Sequence, residues 1–169
     1  MRFKLLFLLS IINFAVAANF LINDDVTLSN ATVSFNIGEY SIEEKGDYKE
    51  ILTTSKGRLD RYGEPDLPQF SFNYAVDNTK SYNVDYDVLE YDVISNIELY
   101  PAQKRNIDNK ILKNNDLYFS NSVYPNQNLE YSIQSLRGYE MLSISFVPFE
   151  YNFESKELKV YKNVVFNIT

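Results

Sequence analysis

Apolar and polar residues alternate with a period of two through this chain, and that alternation leaves it little choice but β-structure. Val33, Phe35 and Ile37 alternate with Ser34 and Asn36, and Tyr82, Val84, Tyr86 and Val88 alternate with Asn83, Asp85 and Asp87. Leu142, Ile144 and Phe146 do the same against Met141, Ser143 and Ser145, as do Val164, Phe166 and Ile168 against Val165 and Asn167. Successive side chains of a strand point to opposite faces, so each run turns one set toward a core and the other toward solvent. No window sustains a helical period. The 14 Tyr and 12 Phe residues, with Val and Ile, suit a pleated, half-buried surface.

Turn signals separate these runs. Asp24-Asp25, Gly38, Lys45-Gly46-Asp47, Lys56-Gly57, Gly63-Glu64-Pro65, Asp77-Asn78, Tyr100-Pro101, Tyr124-Pro125-Asn126 and Arg137-Gly138 punctuate the chain. Their spacing is roughly the 8–12 residues of sandwiches and barrels. The expected fold is all-β: an antiparallel β-sandwich in a single domain, residues 18–169. One segment breaks the rhythm. Residues 102–116, AQKRNIDNKILKNND, are long for a hairpin connection and carry Lys104, Arg105, Lys110 and Lys113 in a chain whose net charge is -7. Loops beyond about 12 residues are uncommon in compact domains and often functional, so this is a candidate contact surface as well as a candidate solvated loop.

The amino terminus predicts export. Arg2 and Lys4 precede an apolar run over residues 5–16, and Ala15-Val16-Ala17 supplies small residues for cleavage after Ala17 or Ala18. Residues 1–17 therefore read as a signal peptide. An uncleaved anchor is the alternative, but the run falls short of the ~20 apolar residues a span requires. Nothing downstream approaches that length, so no membrane association is expected after cleavage.

Two absences exclude much chemistry. Without Cys or His, the chain cannot build a Cys-His or Ser-His-Asp nucleophile, a thiolate or imidazole zinc site, or a disulfide framework. Its acidity disfavours nucleic acid, because phosphate neutralisation needs a basic surface. Carboxylate catalysis remains available in principle, through Asp24-Asp25, Glu43-Glu44 or Asp85 and Asp87. A calcium site in NIDNKILKNND would lack the EF-hand glycine and terminal glutamate. No cofactor or metal is expected. Asn30 and Asn167 begin sequons that would matter only in a eukaryotic secretory pathway.

An ordered set of short motifs is more specific. Gly63, Pro65, Leu67 and Pro68 lie in RYGEPDLPQF; Pro101 and Gln103 follow in IELYPAQKR; Tyr124 and Pro125 follow in LYFSNSVYPNQ. Then come Arg137 and Gly138, Pro148, Tyr151 and Asn152, and finally Leu158, Val160 and Tyr161. Physically, Pro65 and Pro68 stiffen an extended segment, Gly138 supplies a turn conformation, and Pro148 ends an apolar strand where a missing donor is tolerated. Arg137 is a candidate for a carboxylate pair or a solvent-facing turn residue. Tyr151-Asn152 reads as the next turn, and residues 158–168 as the strand that closes the sheet.

This order resembles the propeptide domain of gingipain-type cysteine proteases, peptidase family C25. The resemblance implies an inhibitor and folding aid that keeps a protease domain latent, with no catalysis in this segment. The parent would be a cysteine endopeptidase, exported to the periplasm, cell surface or exterior. The implied partner is the protease domain, in cis, or in trans if this domain is free-standing. Strand residues running up to Thr169 without a tail lead us to expect a truncation or a following domain there. Because the family includes enzymes that cleave after Arg or Lys, Lys104 or Arg105 would reach a specificity pocket, with Gln103, Lys110 and Lys113 completing the contact loop. The competing expectation is a stand-alone secreted adhesion or carbohydrate-binding module presenting Tyr82, Tyr86 and Tyr91.

Overall fold

The computed structural model of the chain describes residues 19–24, 31–59, 61–77, 80–104 and 111–169. The signal-peptide assignment, Asp25, Asn30, Arg105 and Lys110 lie outside these residues. The described residues form eleven strands and one short helix: β1 (Phe20–Asp24), β2 (Ala31–Asn36), β3 (Tyr40–Lys45), β4 (Tyr48–Thr53), β5 (Phe70–Ala75), β6 (Val84–Ile94), α1 (Asn115–Tyr118), β7 (Val123–Tyr124), β8 (Leu129–Leu136), β9 (Tyr139–Phe146), β10 (Phe149–Asn152) and β11 (Glu157–Ile168).

β11 organises the larger sheet. Along one edge it pairs with β2 and β10, which carry β1 and β7 beyond them; along the other it pairs with β6 from Leu158 to Ile168. The expectation that this segment closes the sheet is therefore corrected: it is the middle strand. The reason is its burial, since Leu158, Val160, Val164, Phe166 and Ile168 are all inside, and the longest apolar alternation gains most from neighbours on both edges. A register shift against β6 between Tyr161 and Val164 interrupts the pattern, and there Val160 and Tyr161 are buried in succession.

A second sheet, β5-β9-β8, faces the first, and β3 and β4 form a separate hairpin. Rings fill the space between the sheets. Phe35 of β2 meets Phe70 of β5 at 5.1 Å and Phe146 of β9 at 5.6 Å, and Phe146 meets Phe166 of β11 at 5.0 Å, all edge-on. That geometry sets the positive edge of one ring against the negative face of the next. The alternation read from Val33, Phe35 and Ile37 and from Leu142, Ile144 and Phe146 is thus the core itself. Tyr86 packs on Phe146 and Phe166 and is half-buried, as is Tyr82, whose hydroxyl accepts from the Asp77 N–H. Of the three tyrosines expected to form an adhesive surface, Tyr91 alone is largely exposed.

The β8–β9 hairpin turns through Arg137 and Gly138, with φ of +53° and +83°. Positive φ at both central residues suits the right-handed twist of the flanking strands, which is why glycine is favoured there. Arg137 is solvent-facing. The turn expected at Tyr151-Asn152 is corrected by one residue. Tyr151 is a buried strand residue, and Asn152 makes the turn, its Oδ1 accepting the N–H groups of Glu154 and Ser155.

Candidate functional site

The two described ends of the basic segment meet in a neck built from three stretches of chain. Residues 63–66 run antiparallel to residues 100–102: the Asp66 N–H donates to Tyr100 O (2.9 Å), the Ala102 N–H to Glu64 O (2.8 Å) and the Gly63 N–H to Ala102 O (2.8 Å). Pro65 faces Pro101 across this ladder. Both prolines sit at a position where the neighbouring residues make the bonds, so neither missing N–H leaves an acceptor unfilled.

The returning arm closes on the same glycine. The Asn114 N–H donates to Gly63 O at 2.8 Å, so the N–H of Gly63 holds one arm of the loop and its C=O holds the other. Gly63 has φ +84°, and a Cβ there would lie 3.2 Å from the Asn114 nitrogen. The Gln103 side chain ties the arms directly. Its Oε1 accepts from the Leu112 N–H (2.7 Å), and its Nε2 donates to Leu112 O (2.8 Å) and Pro101 O (2.7 Å). One side-chain amide thus serves Leu112 as a neighbouring strand's peptide would.

Below the neck, aromatic side chains carry the segment that feeds it. The Tyr118 hydroxyl donates to Leu99 O and the Tyr151 hydroxyl to Ile97 O, each at 2.8 Å. Phe153 packs against Tyr151, Tyr118 and Tyr124, with centroids at 4.8, 5.3 and 6.4 Å. Burial pushes the Tyr151 phenol up to about 12 and raises those of Tyr118 and Tyr124 as well, so these hydroxyls remain protonated at ordinary pH. Asn114 caps α1 with its Oδ1, and the helix it opens carries Tyr118 to Phe153 and Leu99 O.

Charge braces the returning arm. The Lys113 ammonium bonds to Glu98 Oε1 at 2.7 Å and lies 4.5 Å from the Tyr118 ring centroid, while Lys156 approaches Glu98 Oε2 at 3.4 Å. The hydrogen bond from Lys113 holds the Glu98 carboxyl below its ordinary range against the opposing effect of burial. Burial works against the Lys113 ammonium, but Glu98 and Tyr48 together outweigh it and raise its pKa. Lys104, by contrast, is exposed, at the rim of an open hollow of about 540 Å³ with Arg58, Tyr62, Asp66 and Gln103. Burial raises the Asp66 carboxyl although Arg58 pulls the other way.

The structure therefore brings together Gly63, Pro65, Pro101, Gln103, Lys104 and Lys113, with Tyr124 and Tyr151 beneath them. Leu67 and Pro68 continue the same segment inward, Leu67 O accepting from the Leu59 N–H and Pro68 pairing with Arg58. Pro125 follows Tyr124 through a cis peptide bond, and Pro148 O accepts from the Tyr161 N–H. Arg137 and Gly138 belong to the β8–β9 hairpin. Sequence reading missed Glu98, Asn114 and Tyr118. Only Asn114, an asparagine opening the stretch NNDLY, gave a local sign of its role as a cap.

Four of the other candidates, Asn167, Asp85, Asp87 and Glu44, have structural occupations. The Asn167 amide donates to both Asp85 and Asp87 across β11 and β6, and Glu44 pairs with Lys49. Among the described residues no three His, Cys, Asp or Glu side chains converge on a metal position, and no helix is long and apolar enough to cross a membrane.

Residues 26–169 match the family Propeptide_C25. The chain belongs to that family. Among solved structures, this Propeptide_C25 domain is similar to a chain in the complex of the pro- and mature domains of RgpB from Porphyromonas gingivalis, with TM-score 0.76 and 19% identity over 89% of this chain and 84% of that one. It is also similar to a chain from a structure concerned with the zymogenic latency of gingipain K from the same organism, with TM-score 0.70 and 15% identity over 91% of this chain and 94% of that one. At these identities the likeness is one of fold. No curated protein matches the chain.

Proposed function

We propose that this domain is the propeptide of an exported gingipain-type cysteine protease and keeps the protease latent by covering its cleft, without chemistry of its own. The observation that carries this reading is the Propeptide_C25 match over residues 26–169. The neck supports it, because fixing both arms of a contact loop lowers the ordering cost that binding would otherwise incur. The partner is the protease domain, in cis or in trans, across an interface of standard size. The domain also helps that partner reach its native state. Export follows from the signal peptide, which is removed.

Within the loop, the contact falls to Lys104, Arg105 and Lys110, with Lys104 or Arg105 entering the specificity pocket. Lys113 and Gln103 brace the neck behind them. The test is inhibition of the cognate mature protease domain by the parent, by the Lys104→Ala, Arg105→Ala double variant and by Lys80→Ala as a control. A buried basic anchor is worth enough that the double variant should weaken inhibition by at least about thirtyfold while Lys80→Ala changes nothing. Equal inhibition by the parent and the double variant would remove the loop from the mechanism.

A further inference from the structure

Each arm of the loop is anchored to the body of the domain independently of the other. The outgoing arm is held by the Ala102 N–H to Glu64 O and the Gly63 N–H to Ala102 O; the returning arm is held by the Asn114 N–H to Gly63 O, by Lys113 on Glu98 and by the Tyr118 hydroxyl on Leu99 O. Gln103 then joins arm to arm through Leu112. None of these bonds uses an atom of the peptide links between residues 104 and 111. The two halves of the chain are further locked together by the larger sheet, where β6 and β2 from the first half flank β11 from the second.

We propose that the neck keeps both arms in their native positions after the loop itself has been cut. Hydrolysis of one peptide bond between residues 104 and 111 adds one water and leaves a carboxylate on the outgoing arm and an amine on the returning arm. The cut removes the covalent link and nothing else from the neck. With both arms held at the neck, the outgoing one through Ala102 and the returning one through Leu112 and Asn114, one arm stays at high effective concentration for the other, and the ordering cost of the neck has already been met by the fold. The consequence rests on the latency reading above: a protease that nicks the loop it is bound to is not freed by that event, because both arms stay held at the neck. Gln103 is here a positioning residue. It acts through Leu112 and needs no contact with the protease.

The test uses the chain with residues 105–110 replaced by the recognition sequence of a highly specific endopeptidase, cut to completion. Amide exchange is followed at Ala102, Leu112 and Asn114, and fragment association by gel filtration. The fragments are expected to co-elute, and protection at Leu112 and Asn114 to fall by no more than about tenfold on cutting. Gln103→Ala removes the acceptor of the Leu112 N–H in both forms, so Asn114, whose N–H is bonded to Gly63 O, is the deciding amide: it should stay protected in the uncut variant and lose at least a further tenfold or so in the cut one. Gln103→Glu, which keeps the acceptor and loses both donors, should fall between and serves if Gln103→Ala does not fold. Collapse of Leu112 and Asn114 protection in the cut parent to the level of an unstructured chain overturns the proposal. So does a cut Gln103→Ala form as protected at Asn114 as the cut parent. The latency reading fails separately, by absence of inhibition when the intact parent meets its cognate protease domain, and that result leaves the exchange data untouched.

Discussion

Gly63 and Gly138 share a backbone conformation, φ +84° and +83°, and differ in what stands behind it. A Cβ on Gly138 would meet nothing within 4 Å, whereas one on Gly63 would press on the Asn114 nitrogen at 3.2 Å and the Leu112 side chain at 3.5 Å. Both belong to motifs that read as turn punctuation. In the β8–β9 hairpin the glycine serves two strands adjacent in sequence, while at the neck it also joins a third segment some fifty residues away. Equal turn grammar in a sequence therefore hides unequal structural weight, and the weight comes from the tertiary neighbour.

The largest expected effect breaks this comparison directly. Left-handed φ costs a residue with a Cβ about 1–2 kcal/mol, so Gly138→Ala should lower unfolding stability by roughly 1 kcal/mol. Gly63→Ala bears the same cost and must also displace an Asn114 nitrogen already bonded to Gly63 O, for a total of about 2–3 kcal/mol. Urea midpoints at constant m-value measure both. Equal losses would mean that the returning arm yields freely and the neck is not a fixed structure.

A smaller effect sharpens the same contrast with tyrosines. Tyr118 beneath the neck donates to a buried carbonyl, Leu99 O, whereas Tyr139 beside Gly138 is 75% exposed. Tyr118→Phe leaves that carbonyl without its donor and should cost about 1–2 kcal/mol, while Tyr139→Phe should stay within about 0.5 kcal/mol. The reverse order would place the rigid end of the molecule at the hairpin.

What the sequence disclosed follows the same divide. Strands whose faces are set by local alternation, such as Val33, Phe35, Ile37 and Leu142, Ile144, Phe146, were legible because the period of two is a property of neighbours along the chain. The middle position of β11 was not, since alternation says which face is buried and nothing about how many strands lie alongside. Tyr151 read as part of a turn because Asn152 follows it, yet the decisive partner, Ile97 O, lies 54 residues away. The neck was half-legible. Its glycine, its prolines and Gln103 stood out as an ordered family pattern, but the bond that makes them one site, Asn114 N–H to Gly63 O, is between backbone atoms and leaves no mark in residue identity.

The smallest effect concerns charge, and it too separates neck from hairpin. Glu98 has its folded-state carboxyl held below the ordinary value, chiefly by the Lys113 hydrogen bond, so its contribution is present above the unfolded carboxylate range and is lost as pH falls through the depressed value. Lys113 is raised, so its contribution is complete below the ordinary lysine range and is lost as pH climbs through the folded value. Between those limits the pair braces the returning arm. The Glu98 side chain is about a third exposed, which screens the interaction, and a net effect of less than about 1 kcal/mol is expected. Asp66 titrates with the opposite sign, since burial raises its carboxyl and acid relieves that penalty, so a raw stability curve would mix the two. The difference between parent and Glu98→Gln isolates the brace. It should be a plateau at neutral pH and shrink on acidification below the ordinary glutamate value, with Leu112 and Asn114 amide exchange quickening over the same interval and the Ser135 to Glu140 hairpin amides unaffected. A difference independent of pH would mean that Glu98 supports the neck by packing alone, and that its two lysine partners add nothing the solvent does not already supply.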